Sequence, residues 1–123
     1  MSFLFESIDH IQLAAPEGAE AEARHFFGNV LGLKEIEKPP ALKKNGGVWF
    51  SFGSYQIHIG IEEPFVPAKK AHPALLVRNI LALQNHLEKQ GIEYQPDGKL
   101  PGANRMYIHD PFGNRIEILE RHE

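Results

Sequence analysis

The sequence predicts an α+β protein in which one βαβββ unit occurs twice. Residue periodicity switches from strand-like alternation to helical i, i+3, i+4 spacing and back again in each half of the 123 residues. Both helical stretches close on a glycine, Gly32 and Gly91, followed by an aliphatic residue and a short strand. The turns also echo, with Phe52-Gly53 in one half and Phe112-Gly113 in the other.

Residues 5–15 alternate as a strand that sets Ile8, His10, Gln12 and Ala14 on one face. Pro16 and Gly18 break it, and from Ala19 a helix is expected with Ala23, Phe26, Phe27, Val30 and Leu31 on its apolar stripe. A strand at Leu33–Glu37 ends at Pro39-Pro40, and Lys43–Gly47 reads as a polar loop. Val48–Phe52 and Tyr55–Ile61 form a hairpin about Gly53-Ser54. In the second half, His72–Val77 is a short strand. Asn79 caps a helix to about Gln90, with Ile80, Leu83 and Leu87 facing the core. Arg105–His109 and Arg115–Leu119 pair about Asp110–Asn114, a strong turn sequence. The expected organisation is a single domain, 1–123, with module 1 at about 5–63, a linker at 64–70 and module 2 at about 71–121.

Composition narrows the function. A formal net charge of -3 argues against nucleic-acid binding, and Lys43-Lys44 and Lys69-Lys70 are too short as basic runs to form such a patch. The absence of cysteine excludes disulfides, thiolate nucleophiles and cysteine-ligated metals. The first residues, MSFLFES, lack a basic region followed by an apolar core, and no segment is long enough to span a bilayer. Cytoplasmic location is therefore the expectation.

The duplication makes the chemistry specific. Each half, of about sixty residues, is too small to bury its own sheet face, so matched positions are candidates to meet about a shared centre. His10 matches His72 on the first strands, and His58 matches Glu117 on the last strands. Ile57, Ile59 and Ile61 share one strand face, leaving Gln56, His58 and Gly60 opposite. Ile116 and Ile118 likewise leave Arg115, Glu117 and Leu119 opposite. Imidazole with carboxylate suits Zn²⁺, Ni²⁺, Mn²⁺ or Fe²⁺, and two histidines with one carboxylate leave exchangeable positions. Arg105, Tyr107 and His109 share a face, as do Trp49 and Ser51. His25, His86 and His122 fall on helices or the tail and read as solvated.

These residues resemble the glyoxalase/bleomycin-resistance/dioxygenase group, the vicinal oxygen chelate superfamily. The resemblance is carried by DHIQL at 9–13, FFGNVLGL at 26–33, HPALLV at 72–77 and, most specifically, DPFGNRIE at 110–117. It covers essentially the whole chain. It implies paired βαβββ modules whose curved mixed sheet forms a cup, with helices outside and a divalent metal within. His10, His72 and Glu117 stand at the metal-ligand positions, and His58 at a conditional fourth. The metal would chelate a small oxygenated substrate and stabilise a developing oxyanion. Glu117 and Tyr107 are the implied catalytic groups; Gln12, Trp49, Arg105 and Tyr107 would bind substrate, Arg105 through an anionic group. A homodimer is also implied.

Departures within the family matter. Glyoxalase I usually carries Glu or Gln where His58 stands, and its glutathione-gripping segments are not evident. Fosfomycin-resistance thiol transferases match in length and triad, yet Gln12 and Arg105 replace their usual Thr and Ser. Ring-cleaving dioxygenases are commonly longer. The expected activity is therefore lyase or isomerase, thiol transferase, or dioxygenase chemistry. The alternatives are a metal-free binding or resistance protein of the same fold, and a structural homodimer.

Overall fold

In a computed structural model, which describes residues 2–123, the chain forms two compact units, Met1–Glu63 and Pro64–Glu123. Each carries its own four-stranded mixed sheet, and each is strand, helix, strand, strand, strand in order.

In unit 1 the order across the sheet is β1 (Ile11–Ala15), β4 (Tyr55–Ile61), β3 (Val48–Phe52) and β2 (Lys34–Ile36). β1 runs parallel to β4, with Ile11 opposite Ile57 and Gln12 opposite His58; the other pairings are antiparallel. The expected strand start at residue 5 is corrected to Ile11. With Ile11 opposite Ile57, β4 reaches back only to Tyr55, opposite Asp9, so residues before Asp9 have no strand beside them. Residues 2–10 lie outside the sheet, with Phe3, Leu4, Phe5 and Ile8 exposed.

The first helix starts as α1 (Glu20–Ala23) and widens into π-type turns over Arg24–Val30. The wider turn sets both Phe26 and Phe27 into the core, where their rings meet edge to face at 5.0 Å and Phe27 reaches Phe50 at 5.6 Å. Ala23, Val30, Val48, Ile57 and Ile59 complete that core. The segment expected as a loop at Lys43–Gly47 begins as a 3₁₀ turn, Pro40–Asn45, because Pro40 pre-sets the backbone for its first position.

Unit 2 repeats the pattern, in the order β5 (Ala74–Leu76), β8 (Arg115–Arg121), β7 (Ala103–His109) and β6 (Gln95–Asp97). β5 is parallel to β8 and shorter than expected, so His72 precedes it rather than opening it. Pro73 has no N–H to donate, although its carbonyl still accepts from Glu117 at 3.0 Å. β7 and β8 each extend two residues beyond the expected hairpin, at the end away from the turn.

The second helix, α2 (Ile80–Lys89), is capped as expected. The Asn79 side chain accepts from Ala82 N–H at 3.1 Å, and Asn79 itself is left-handed at φ 62°. Glu120 adds a cap the sequence did not disclose, its carboxylate accepting from Asn79 and Ile80 N–H at 2.9 and 3.0 Å. Those two bonds hold its pKa below the ordinary value. Ile80 and Leu87 pack into a core with Met106, Ile108, Ile116 and Ile118. Gly32 and Gly91 both have positive φ, 77° and 72°, as helix-ending glycines require. No described helix is long and apolar enough to cross a membrane.

Candidate functional site

The residues singled out in the sequence fall into two side-chain clusters, one in each unit. In unit 1, His58 projects from the middle of β4 between two rings. Trp49, its antiparallel neighbour on β3, lies parallel to it with centroids 3.7 Å apart and planes within 2°. His10 covers the other side at 4.1 Å and 18°. This column leaves His58 only 4% exposed, and its Nε2 lies 2.8 Å from the Gln56 side-chain oxygen. Burial pushes the His58 pKa below 6.5, aided by the nearby His10. His58 is therefore occupied as a packed, hydrogen-bonded ring.

His10 sits one residue before β1 with its Nδ1 on the Asp9 carboxylate at 2.8 Å. A carboxylate on one ring nitrogen fixes the orientation of the imidazole, the usual support of a metal-ligating histidine. Gln12 and Trp49, the two substrate-binding candidates of this half, line one cavity of about 490 Å³ together with Lys38, Asn45 and Gly60. Gly60 positions the amide: a Cβ there would lie 2.6 Å from Gln12 Nε2. The missing side chain leaves room for the Gln12 amide beside β4, a role the sequence did not reveal.

In unit 2, His72 Nε2 lies 2.9 Å from Glu117 Oε1, and His72 Nδ1 lies 2.8 Å from the Lys70 carbonyl. Glu117, 8% exposed, turns its second oxygen toward Arg105, whose Nη1 is 3.6 Å away. Tyr107 is the cross-strand neighbour of Glu117 and meets His72 edge-on at 5.5 Å. This unit thus brings His72, Glu117, Tyr107 and Arg105 together.

Arg105 is engaged internally. Its Nη2 donates to Asp97 at 3.0 Å, and that bond raises its pKa while Asp97 is held below the ordinary carboxylate value, first by the Lys99 N–H and then by Arg105. Only its Nε, buried, has no partner. Asp97 and Arg115 are the residues the sequence reading passed over. Arg115 lays its guanidinium carbon 3.9 Å above the Tyr107 ring centroid. Strand parity had already put Arg115 on the Glu117 face, so the signal was present. Asp97 was hidden because it faces Arg105 only through the β6–β7 pairing.

Among the described residues, no three His, Cys, Asp or Glu side chains gather as a ready-made metal site. Within unit 2 the donors suit a divalent ion: the His72 imidazole, held by the Lys70 carbonyl, and the buried Glu117 carboxylate, held by Arg105.

Comparison with known proteins agrees with this architecture. The family model described as Glyoxalase/Bleomycin resistance protein/Dioxygenase superfamily matches residues 7–118. A glyoxalase family protein from Bacillus anthracis is 51% identical, with a TM-score of 0.95 over 98% of this chain and 99% of that one. Lactoylglutathione lyase from Agrobacterium tumefaciens shares the fold at 23% identity and a TM-score of 0.70, covering 93% of this chain and 92% of its own. The fosfomycin resistance protein FosX from Listeria monocytogenes does so at 16% and 0.73, covering 95% and 94%. No curated protein matches the chain. A match across almost the whole sequence, on a twice-repeated βαβββ frame, means that the chain belongs to the glyoxalase/bleomycin resistance protein/dioxygenase superfamily.

Proposed function

We propose that this protein is a divalent-metal-dependent enzyme acting on a small oxygenated substrate through metal chelation. The observation that carries the proposal is the His72–Glu117 pair, 2.9 Å apart and mostly buried, beside Tyr107. A buried imidazole–carboxylate pair costs desolvation energy that a hydrophobic pair would avoid, so its presence calls for a reason beyond stability. In unit 2 the ligands we propose are His72 and Glu117, supported by the Lys70 carbonyl and by Arg105; in unit 1 His10, supported by Asp9, is a candidate ligand in its own right.

Bound there, the ion would supply Lewis-acid stabilisation of a developing oxyanion. Glu117 keeps one oxygen toward His72 and one toward Arg105, so a shift of either partner frees a lone pair to accept a proton. Tyr107 can donate its phenolic hydrogen to a substrate oxygen. Gln12 and Trp49 supply an amide and an aromatic wall to the unit 1 cavity. Proteins that share this fold include one named as a lactoylglutathione lyase and one named as a fosfomycin resistance protein; the reaction we propose is lyase or isomerase, thiol-transferase or dioxygenase chemistry.

The test is metal analysis of full-length protein purified without chelator, followed by titration with Zn²⁺, Ni²⁺ and Mn²⁺. Saturable uptake that His72→Ala and Glu117→Gln abolish supports the proposal; no uptake of any ion sinks it. A second reading, metal-free small-molecule binding, is favoured by the Trp49-lined cavity. It predicts ligand affinity that survives His10→Ala and Glu117→Gln but falls on Trp49→Ala. We further propose a homodimer, supported by the exposed apolar residues of the N-terminal segment.

A further inference from the structure

The geometry points to Arg115, not Arg105, as the residue that reads an anionic group on the substrate, with Tyr107 as its platform. Two guanidiniums approach the Tyr107 ring, Arg115 at 3.9 Å and Arg105 at 5.3 Å from the centroid. They differ in what else they do. Arg105 donates to Asp97 at 3.0 Å and stands 3.6 Å from Glu117, so two carboxylates already share its charge. Arg115 forms no ion pair with any carboxylate of the described residues.

The contact that holds Arg115 leaves its chemistry available. The ring meets the guanidinium carbon, which occupies none of the five N–H donors. An arginine held over an aromatic ring loses side-chain freedom beforehand, so less is lost when it grips a ligand. Its fork matches an anion that spreads charge over two or more oxygens, which means a carboxylate, a phosphate or a phosphonate. Arg115 also shares its strand face with Glu117, two residues on. An anion on Arg115 would therefore reach the His72–Glu117 pair with its neighbouring atoms.

Glu117 would repel such an anion while unneutralised, and a bound cation would remove that repulsion. To this extent the inference rests on the metal reading above. The sequence pattern pointed to Arg105 because it shares a face with Tyr107; the Asp97 contact redirects the assignment.

The experiment titrates full-length protein, as purified and after zinc loading, with inorganic phosphate and separately with acetate at constant ionic strength. NMR of the arginine Nε–H and Tyr107 ring signals reports binding. Saturable shifts at Arg115 and Tyr107 are expected, strengthened by zinc. Arg115→Met, which keeps the stem over Tyr107, should weaken them about tenfold, and Arg115→Lys should restore part of the loss. Whichever of phosphate and acetate binds tighter identifies the kind of anion. Wild-type affinity in Arg115→Met, or a larger loss in Arg105→Met, overturns the inference. Zinc uptake is measured on the same samples. Uptake without Arg115-dependent anion binding removes this inference and leaves the metal reading. Arg115-dependent binding without uptake does the reverse.

Discussion

The His58 imidazole and the Trp49 indole lie parallel, 3.7 Å apart, with His10 closing the other side of the imidazole at 4.1 Å. A ring so enclosed is a packing element before it is a ligand. His58→Ala should destabilise the protein by about 2 kcal/mol through the space it leaves. Urea unfolding followed by emission of Trp49, the single tryptophan, measures this directly. Metal uptake should be unaffected. A loss of uptake equal to that of His72→Ala would instead make His58 the fourth ligand.

Gly47 is where the chain turns back into β3. Its φ is 87°, and a Cβ there would stand 2.2 Å from the Ile59 carbonyl oxygen, a backbone atom that cannot swing away. Gly47→Ala should cost at least about 2 kcal/mol, more than a loop glycine ordinarily would. Thermal unfolding of the variant gives the value, and an unchanged midpoint would contradict the geometry.

Glu20 secures the same turn, its Oε2 accepting the Gly47 N–H at 2.8 Å. That bond comes first among the causes that hold its pKa below 4.5. A carboxylate whose folded pKa is depressed adds stability above its unfolded value. The contribution is lost as pH falls through 4.5 toward the folded value. Stability measured from pH 7 to pH 3 should therefore fall less steeply in Glu20→Gln than in wild type.

Asp110 organises the β7–β8 turn from a buried position. Its Oδ1 accepts from Phe112 and Asn114 N–H at 3.0 and 2.8 Å, and its Oδ2 accepts from the Asn114 amide at 2.8 Å. Burial still raises its pKa, because these bonds offset desolvation only in part. Asp110→Ala should destabilise by about 2–4 kcal/mol, since it strands several buried donors. Because the turn sets the register that pairs Tyr107 with Glu117, metal uptake should fall with it. Parallel unfolding and uptake measurements would show the two losses together.

Phe3, Leu4, Phe5 and Ile8 are 79, 85, 90 and 72% exposed. Covering the four would bury about 600 Å² on each chain, so reciprocal contact between two copies reaches about 1,200 Å², the lower bound of a specific interface. Light scattering at micromolar concentration should give twice the chain mass. Phe3→Ser/Phe5→Ser should shift the population toward monomer, and a monomeric wild type would end this proposal.

The repeated βαβββ order, the apolar stripes of both helices, the two glycine helix ends and the Asn79 cap are all legible in residue order alone. All of these depend on interactions within a few residues, so periodicity and turn chemistry carry them. Strand parity likewise placed Glu117 with Arg115, and Arg105 with Tyr107. Which of these groups are already engaged depends on contacts between strands. Asp97 reaches Arg105 through a strand pairing eight residues away, and Trp49 reaches His58 through another. The start of β1 was limited in the same way, because β4 offers no partner to residues before Asp9. Alternation assigns a side chain to a face, but its neighbours on that face come from other strands. Whether Arg105 or Arg115 has charge to spare, and whether His58 has a lone pair to offer, is set by those neighbours.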